Sequence, residues 1–190
     1  MDKTPKLYDL ILTDEVVGMY TISLVDRPAM EVEWYAFSKD TEVQDIRCSI
    51  IDDGMEHKVM VVIARAGFPF PRLNEDGELF YVRFSAETIK KIAQKFLKDG
   101  YQNCINIMHR NNTYVDGVEM EQLFIKDVEK GIDPKEFTEV EDGSLFAVYK
   151  IENDEIWTAI KNGTFTSVSM EGFFRPVEVT DEPETEKELM

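Results

Sequence analysis

Lys58–Ala64, KVMVVIA, is a near-continuous apolar run whose β-branched content favours a buried strand over a short helix. A strand this apolar needs cover on both faces, so it predicts a sheet at the centre of the molecule. Beyond it, Gly67, Pro69 and Pro71 make a loop, and Asn74-Glu75-Asp76-Gly77 has the residues of a hairpin turn returning the chain into a strand over Leu79–Phe84. Ser85 is an N-cap with Glu87 in the first turn behind it, and Ile89, Ile92, Ala93, Phe96 and Leu97 recur at helical spacing. That stripe predicts an amphipathic helix ending at Gly100.

Next, Asn103–His109, NCINIMH, alternates, with Ile105, Ile107 and His109 on one face and Cys104, Asn106 and Met108 on the other. Gly117–Ile125 and Ser144–Ile151 read as further strands, separated by the charged surface loop Asp127–Asp142. Asn153 caps a short helix through Ile156, Trp157 and Ile160 that stops at Gly163. Thr164–Phe174, TFTSVSMEGFF, is a strand with Phe165, Ser167, Ser169 and Glu171 on one face and Thr166, Val168, Met170 and Gly172 on the other.

Working back to the N-terminus, Lys6–Leu12 and Gly18–Val25 are β segments, and Asp26-Arg27-Pro28 ends the second in a turn. Glu31–Ser38 is extended and aromatic, followed by a polar connector to Asp45. From Val177 the chain is acidic and poor in large apolar groups, which reads as a mobile end. The order of elements, mostly strands with two helices, predicts an α+β fold with a small, mostly antiparallel, barrel-like sheet flanked by helices. One domain over 1–176 with a tail over 177–190 follows, and 190 residues suffice for one buried core.

A formal net charge of -17 argues against direct nucleic-acid binding and favours a partner with a basic surface. No apolar run reaches the length of a membrane span, and the N-terminus lacks the uninterrupted apolar stretch of a secretion signal, which implies a cytoplasmic protein. Cys48 and Cys104 have neither CxxC spacing nor a nearby histidine pair, so neither a disulfide framework nor a metal site is expected, and no cofactor motif is present.

Two histidines, His57 and His109, are the candidate general bases. His57 lies among Asp52, Asp53 and Glu56, in a solvated turn before the central strand, whereas His109 closes an apolar strand at the edge of a polar turn, where a side chain is held yet reaches a cleft. A serine nucleophile needs such a base and a third group to fix the imidazole tautomer. Ser169 and His109 fill two of these roles. Glu121 is first choice for the third, because a hairpin after His109 would lay its strand alongside; Glu119 and Asp116 stay open. Gly172 would admit a close backbone approach for an oxyanion site or a substrate strand, or mark a bulge. Arg110 or Arg175 could steady negative charge, while Cys104, on the face opposite His109, reads as a packed thiol. There is no GxSxG elbow, HExxH or phosphate-binding loop.

Several stretches together resemble the phage prohead (capsid maturation) proteases, especially their phage serine protease group, which are related in fold to the herpesvirus assembly proteases. They are Tyr20–Met30, YTISLVDRPAM; Phe80–Gly100, FYVRFSAETIKKIAQKFLKDG; Ile105–Asn111, INIMHRN; and Glu155–Phe174, EIWTAIKNGTFTSVSMEGFF. The resemblance implies His109 as base and Ser169, rather than Ser167, as nucleophile. Glu121 matches a glutamate on the strand after the histidine, whereas the herpesvirus enzymes use a second histidine, for which His57 is poorly placed. It further implies a serine endopeptidase that cuts scaffold protein, capsid protein and itself inside an assembling procapsid in the host cytoplasm, with self-association left open. The chain departs from the resemblance in having only an acidic tail behind the serine strand, with no long scaffold segment. A catalytically idle assembly protein that binds capsid or scaffold subunits is the alternative, and an unrelated hydrolase with a small-molecule pocket is a third reading.

Overall fold

The computed structural model describes residues 5–26, 47–110 and 114–179. The turn at Arg27-Pro28, the extended stretch Glu31–Ser38, its polar connector and the chain from 180 onward lie outside the described residues. Among the described residues there are eleven strands and two α-helices: β1 (Leu7–Ile11), β2 (Gly18–Val25), β3 (Ser49–Asp52), β4 (Lys58–Ala64), β5 (Phe70–Leu73), β6 (Leu79–Arg83), α1 (Ala86–Lys98), β7 (Ile105–Ile107), β8 (Val118–Ile125), β9 (Leu145–Ile151), α2 (Asp154–Lys161), β10 (Ser167–Phe173) and β11 (Arg175–Glu178).

The fold is α+β. Its strands make three sheets, ordered β11-β1-β6-β5, β10-β2-β7 and β3-β4-β9-β8. Among the described residues none of the three closes on itself, so the expected barrel-like sheet is replaced by open ones. β4 explains why its sequence is apolar throughout. It is paired on both edges, to β3 and β9, and its alternating side chains enter two different cores. Val59, Val61 and Ile63 join the main core, while Val62 joins a smaller one with Phe137, Val140 and Phe146. Each buried Val or Ile of this strand contributes about 1.5–3 kcal/mol of burial, and there is no solvated face to demand polar residues.

Helix α1 starts where expected, with Ser85 Oγ accepting from Thr88 N at 3.1 Å. Ile89, Ile92, Ala93 and Phe96 are buried, but Leu97 is 49% exposed, so the apolar stripe ends at Phe96. Asn153 caps α2 by accepting from the amides of Glu155 and Ile156. The β5–β6 hairpin turns at Asn74, whose Oδ1 accepts from the amides of Asp76 and Glu78. The charged loop after β8 is held by Lys126, a 3% exposed residue whose Nζ donates to Phe137 O and Thr138 O and lies 3.0 Å from Asp133.

Two connections differ from expectation. Val177 and Glu178 belong to β11, which pairs antiparallel with β1 through Tyr8↔Glu178 and Asp9↔Val177, where a mobile end is expected from the sequence. β8 does not fold back on β7. β7 runs parallel to β2, whereas β8 crosses to the third sheet and pairs with β9. β7 has three paired positions with β2, whereas the long apolar β9 offers β8 seven.

Candidate functional site

The three-stranded sheet β10-β2-β7 has one apolar and one polar face. Ile22, Leu24 and Val168 turn into the main core. On the other face the register sets Ser169 opposite Ser23 and Ser23 beside Asn106, a row of three polar residues across three strands, all buried. Opposed residues on neighbouring strands hold their Cβ atoms about 5 Å apart. One rung along, Glu171 is opposite Thr21, whose hydroxyl donates to Cys104 O at 2.5 Å.

His109 joins this face through an irregular backbone. β7 stops at Ile107, and Met108 and His109 both have positive φ, +52° and +56°. Left-handed conformations at two successive non-glycine residues are costly and break the strand alternation. As a result His109 comes round to the side of Asn106, not the side of Ile105 and Ile107 that strict alternation predicts. Its Nδ1 lies 3.1 Å from Glu171 Oε1 and 3.2 Å from Ser23 Oγ.

Glu171 Oε1 is the hub. It receives Ser23 Oγ at 2.5 Å, Asn106 Nδ2 at 2.9 Å and His109 Nδ1 at 3.1 Å. Its side chain is 12% exposed, and burial by itself would push the carboxyl upward; the donors Ser23, Asn106 and His109 together with the imidazole's charge outweigh burial and hold it below the usual carboxylate range. An ionised carboxylate only accepts, so the nitrogen facing it carries the hydrogen. His109 is thereby set as the Nδ1–H tautomer with Nε2 free to accept, and its ring is 46% exposed.

The residues anticipated from sequence fare differently. Ser169 is 5% exposed on β10, and its hydroxyl makes no hydrogen bond among the described residues. Ser167 is buried two positions earlier, opposite Val25. Glu121 is not brought to His109. It is on β8, with its carboxylate 2.9 Å from Lys58 Nζ, and Lys58 also pairs with Glu56. Glu119 faces Lys150 across the β8–β9 ladder, and Asp116 contributes its carbonyl to Asn153. His57 stacks on Trp157, ring centroids 4.6 Å apart and 11° from parallel. Burial raises the Cys48 thiol. Among the described residues no cluster of three or more metal-ligating side chains occurs, and no helix is long and apolar enough to cross a membrane.

Sequence reasoning did not give roles to Ser23, Asn106 and Glu171. Signals were present: Glu171 follows Ser169 by two on the same strand face, and Ser23 and Asn106 are polar residues inside otherwise apolar strands. Gly172 sits at a register shift in the β10–β2 ladder, and a Cβ there would come 2.7 Å from Gly18 O, which makes it a bulge closely approached by β2. Val168, Ser169, Met170 and Gly172 of β10 border a pocket of ≈ 230 Å³ together with Phe70, Arg72 and Phe84.

The imidazole held by Glu171 and the buried Ser169 are thus on one three-stranded sheet, with β2 between their strands. The model of the family described as "Putative phage serine protease XkdF" matches residues 77–178, a span holding α1, His109 and all of β10. The match covers more than half of the chain, which belongs to this phage serine protease family. No curated protein and no solved structure matches the chain.

Proposed function

We propose that this chain is a prohead maturation endopeptidase, in which Ser169 is the nucleophile, His109 the general base and Glu171, in place of Glu121, the group that orients the imidazole. The observation carrying the proposal is the contact of His109 Nδ1 with Glu171 Oε1 at 3.1 Å, which leaves Nε2 as the accepting nitrogen. Nε2 takes the Ser169 proton as Oγ attacks the scissile carbonyl, and the imidazolium is stabilised by Glu171. The proton then passes to the leaving amine, and water hydrolyses the acyl-enzyme by the same route. The pocket along β10, lined by Ser169 itself, would give a substrate side chain a place beside the serine strand. Family membership supports phage proteins as substrates; scaffold and capsid segments, and the chain itself, inside a procapsid assembling in the host cytoplasm, are the specific substrates and setting of this proposal.

Co-expression with the neighbouring capsid and scaffold proteins, followed by intact mass, tests it. Processing is expected with the wild type and lost, on the order of 10⁴-fold or more, in Ser169→Ala and His109→Ala. Processing that persists in both variants would overturn the assignment. Assembly that needs the chain but proceeds unprocessed would favour the idle binding protein.

A further inference from the structure

Glu171 is held by more than the histidine. Ser23 is fully buried and Asn106 is 3% exposed, yet both spend their polar groups on the same carboxylate oxygen. Asn106 Nδ2 donates to Glu171 Oε1, which fixes the amide orientation and turns Asn106 Oδ1 toward Ser23. Ser23 Oγ has one hydrogen and two acceptors, Asn106 Oδ1 and Glu171 Oε1, so its proton is shared between them. Three donors thus converge on Oε1, the oxygen facing His109. Polar residues in the middle of two strands are costly unless they are satisfied, and here satisfaction and carboxylate binding are the same bonds.

We infer that Ser23 and Asn106 are positioning residues of the proteolytic site, which anchor the Glu171 oxygen that faces His109 and moderate its pull on the His109 proton. This rests on the reading of His109 and Glu171 as base and orienter. A carboxylate relieved of two donors keeps more charge for the imidazole, favours imidazolium, and so moves the acid limb of the reaction to higher pH. Tyr20 on β2 feels the charges of Glu171 and of Tyr114, which precedes β8, and Arg110 follows His109 in the chain. Burial, and then the charges of Glu171 and Tyr114, raise the Tyr20 phenol, so Tyr20 does not titrate in the range concerned.

The test uses the full chain with its histidines labelled, in wild type, Ser23→Ala, Ser23→Thr and Asn106→Ala. Long-range nitrogen–proton NMR follows the His109 ring against pH, and a fluorophosphonate probe reports the labelling rate of Ser169 by intact mass. The His57 ring, stacked on Trp157, is an internal check that each variant is folded. In Ser23→Ala and Asn106→Ala the His109 titration midpoint and the acid limb of labelling are expected to move up together, by roughly half a unit to one unit. Ser23→Thr, which keeps the hydroxyl, should track the wild type. Folded variants with an unmoved midpoint, or Ser23→Thr shifting as far as Ser23→Ala, would overturn the inference. Failure of wild-type Ser169 to label, with the midpoint still moving in the alanine variants, would instead sink the nucleophile assignment and leave the positioning role standing.

Discussion

Glu171 and Glu121 are both carboxylates beside a cation or cation-former, and the environment of each decides what its loss should do. Glu121 and Lys58 are partly exposed, and such pairs are worth about 0–1 kcal/mol, so Glu121→Gln should leave probe labelling of Ser169 within a few-fold of wild type. Glu171→Gln replaces the acceptor for Nδ1–H by an amide that can present a donor and favour the wrong tautomer. Labelling is expected to fall on the order of 10²–10⁴-fold. The two glutamates also separate by acid response. The Glu171 carboxyl is held below its ordinary value, so its contribution to stability is present above the unfolded carboxylate value of about 4.3 and is lost as pH falls through the lower folded value. The Tm difference between wild type and Glu171→Gln should accordingly shrink as pH is lowered through that range; a difference that persists in strong acid would contradict the sign. A period of two shows the strand end at His109 and the face shared by Ser167 and Ser169, and resemblance to a family, not periodicity, favours Ser169 of the two. Glu171 could not be given its role, because that depends on the positive φ of Met108 and His109, and no side-chain pattern encodes where two left-handed residues will turn a ring.

At the scale of elements, β10 carries the site, and Gly172 sets how closely it lies against β2. Gly172→Ala would drive a Cβ against Gly18 O and the Phe174 ring, each 2.7 Å away. Since the first of these is backbone, the bulge itself must shift, and a cost of about 1–3 kcal/mol is expected in a denaturant titration, with Ser169 labelling reduced as well. Both helices were readable to within a residue or two, because caps and apolar stripes are local signals: Ser85 and Asn153 cap as their sequence contexts predict. The strands were readable individually but not as partners. Glu121 was placed by assuming that β8 folds back on β7, and pairing depends on which edge offers the longer ladder, a property of β9 some twenty residues downstream.

For the molecule as a whole, the residues just after the serine strand, Arg175–Val179, are structural. β11 closes an edge of the first sheet against β1, and Val179 N donates to Leu7 O at 2.9 Å. Truncation after Phe174 should therefore lower Tm more than truncation after Val179, because only the first strips β1 of its antiparallel partner; equal effects would deny β11 that role. The sequence could not show this, since Arg175–Glu178 has almost no apolar content and is exposed along its length, so its pairing is written only in the β1 edge it covers.

The β10–β2 register has a consequence for the timing of synthesis. Ser23 and Glu171 touch across 148 positions of chain, and the strand bearing Ser169 leaves the ribosome after β2 and β7, with which it shares a sheet. Domains emerge from their N-terminal side, and a contact so distant in sequence forms only after the intervening elements are available. A nascent chain therefore has the imidazole before it has either the hydroxyl or the carboxylate. The cluster around Glu171 is in this way completed only once β2, β7 and β10 have come together.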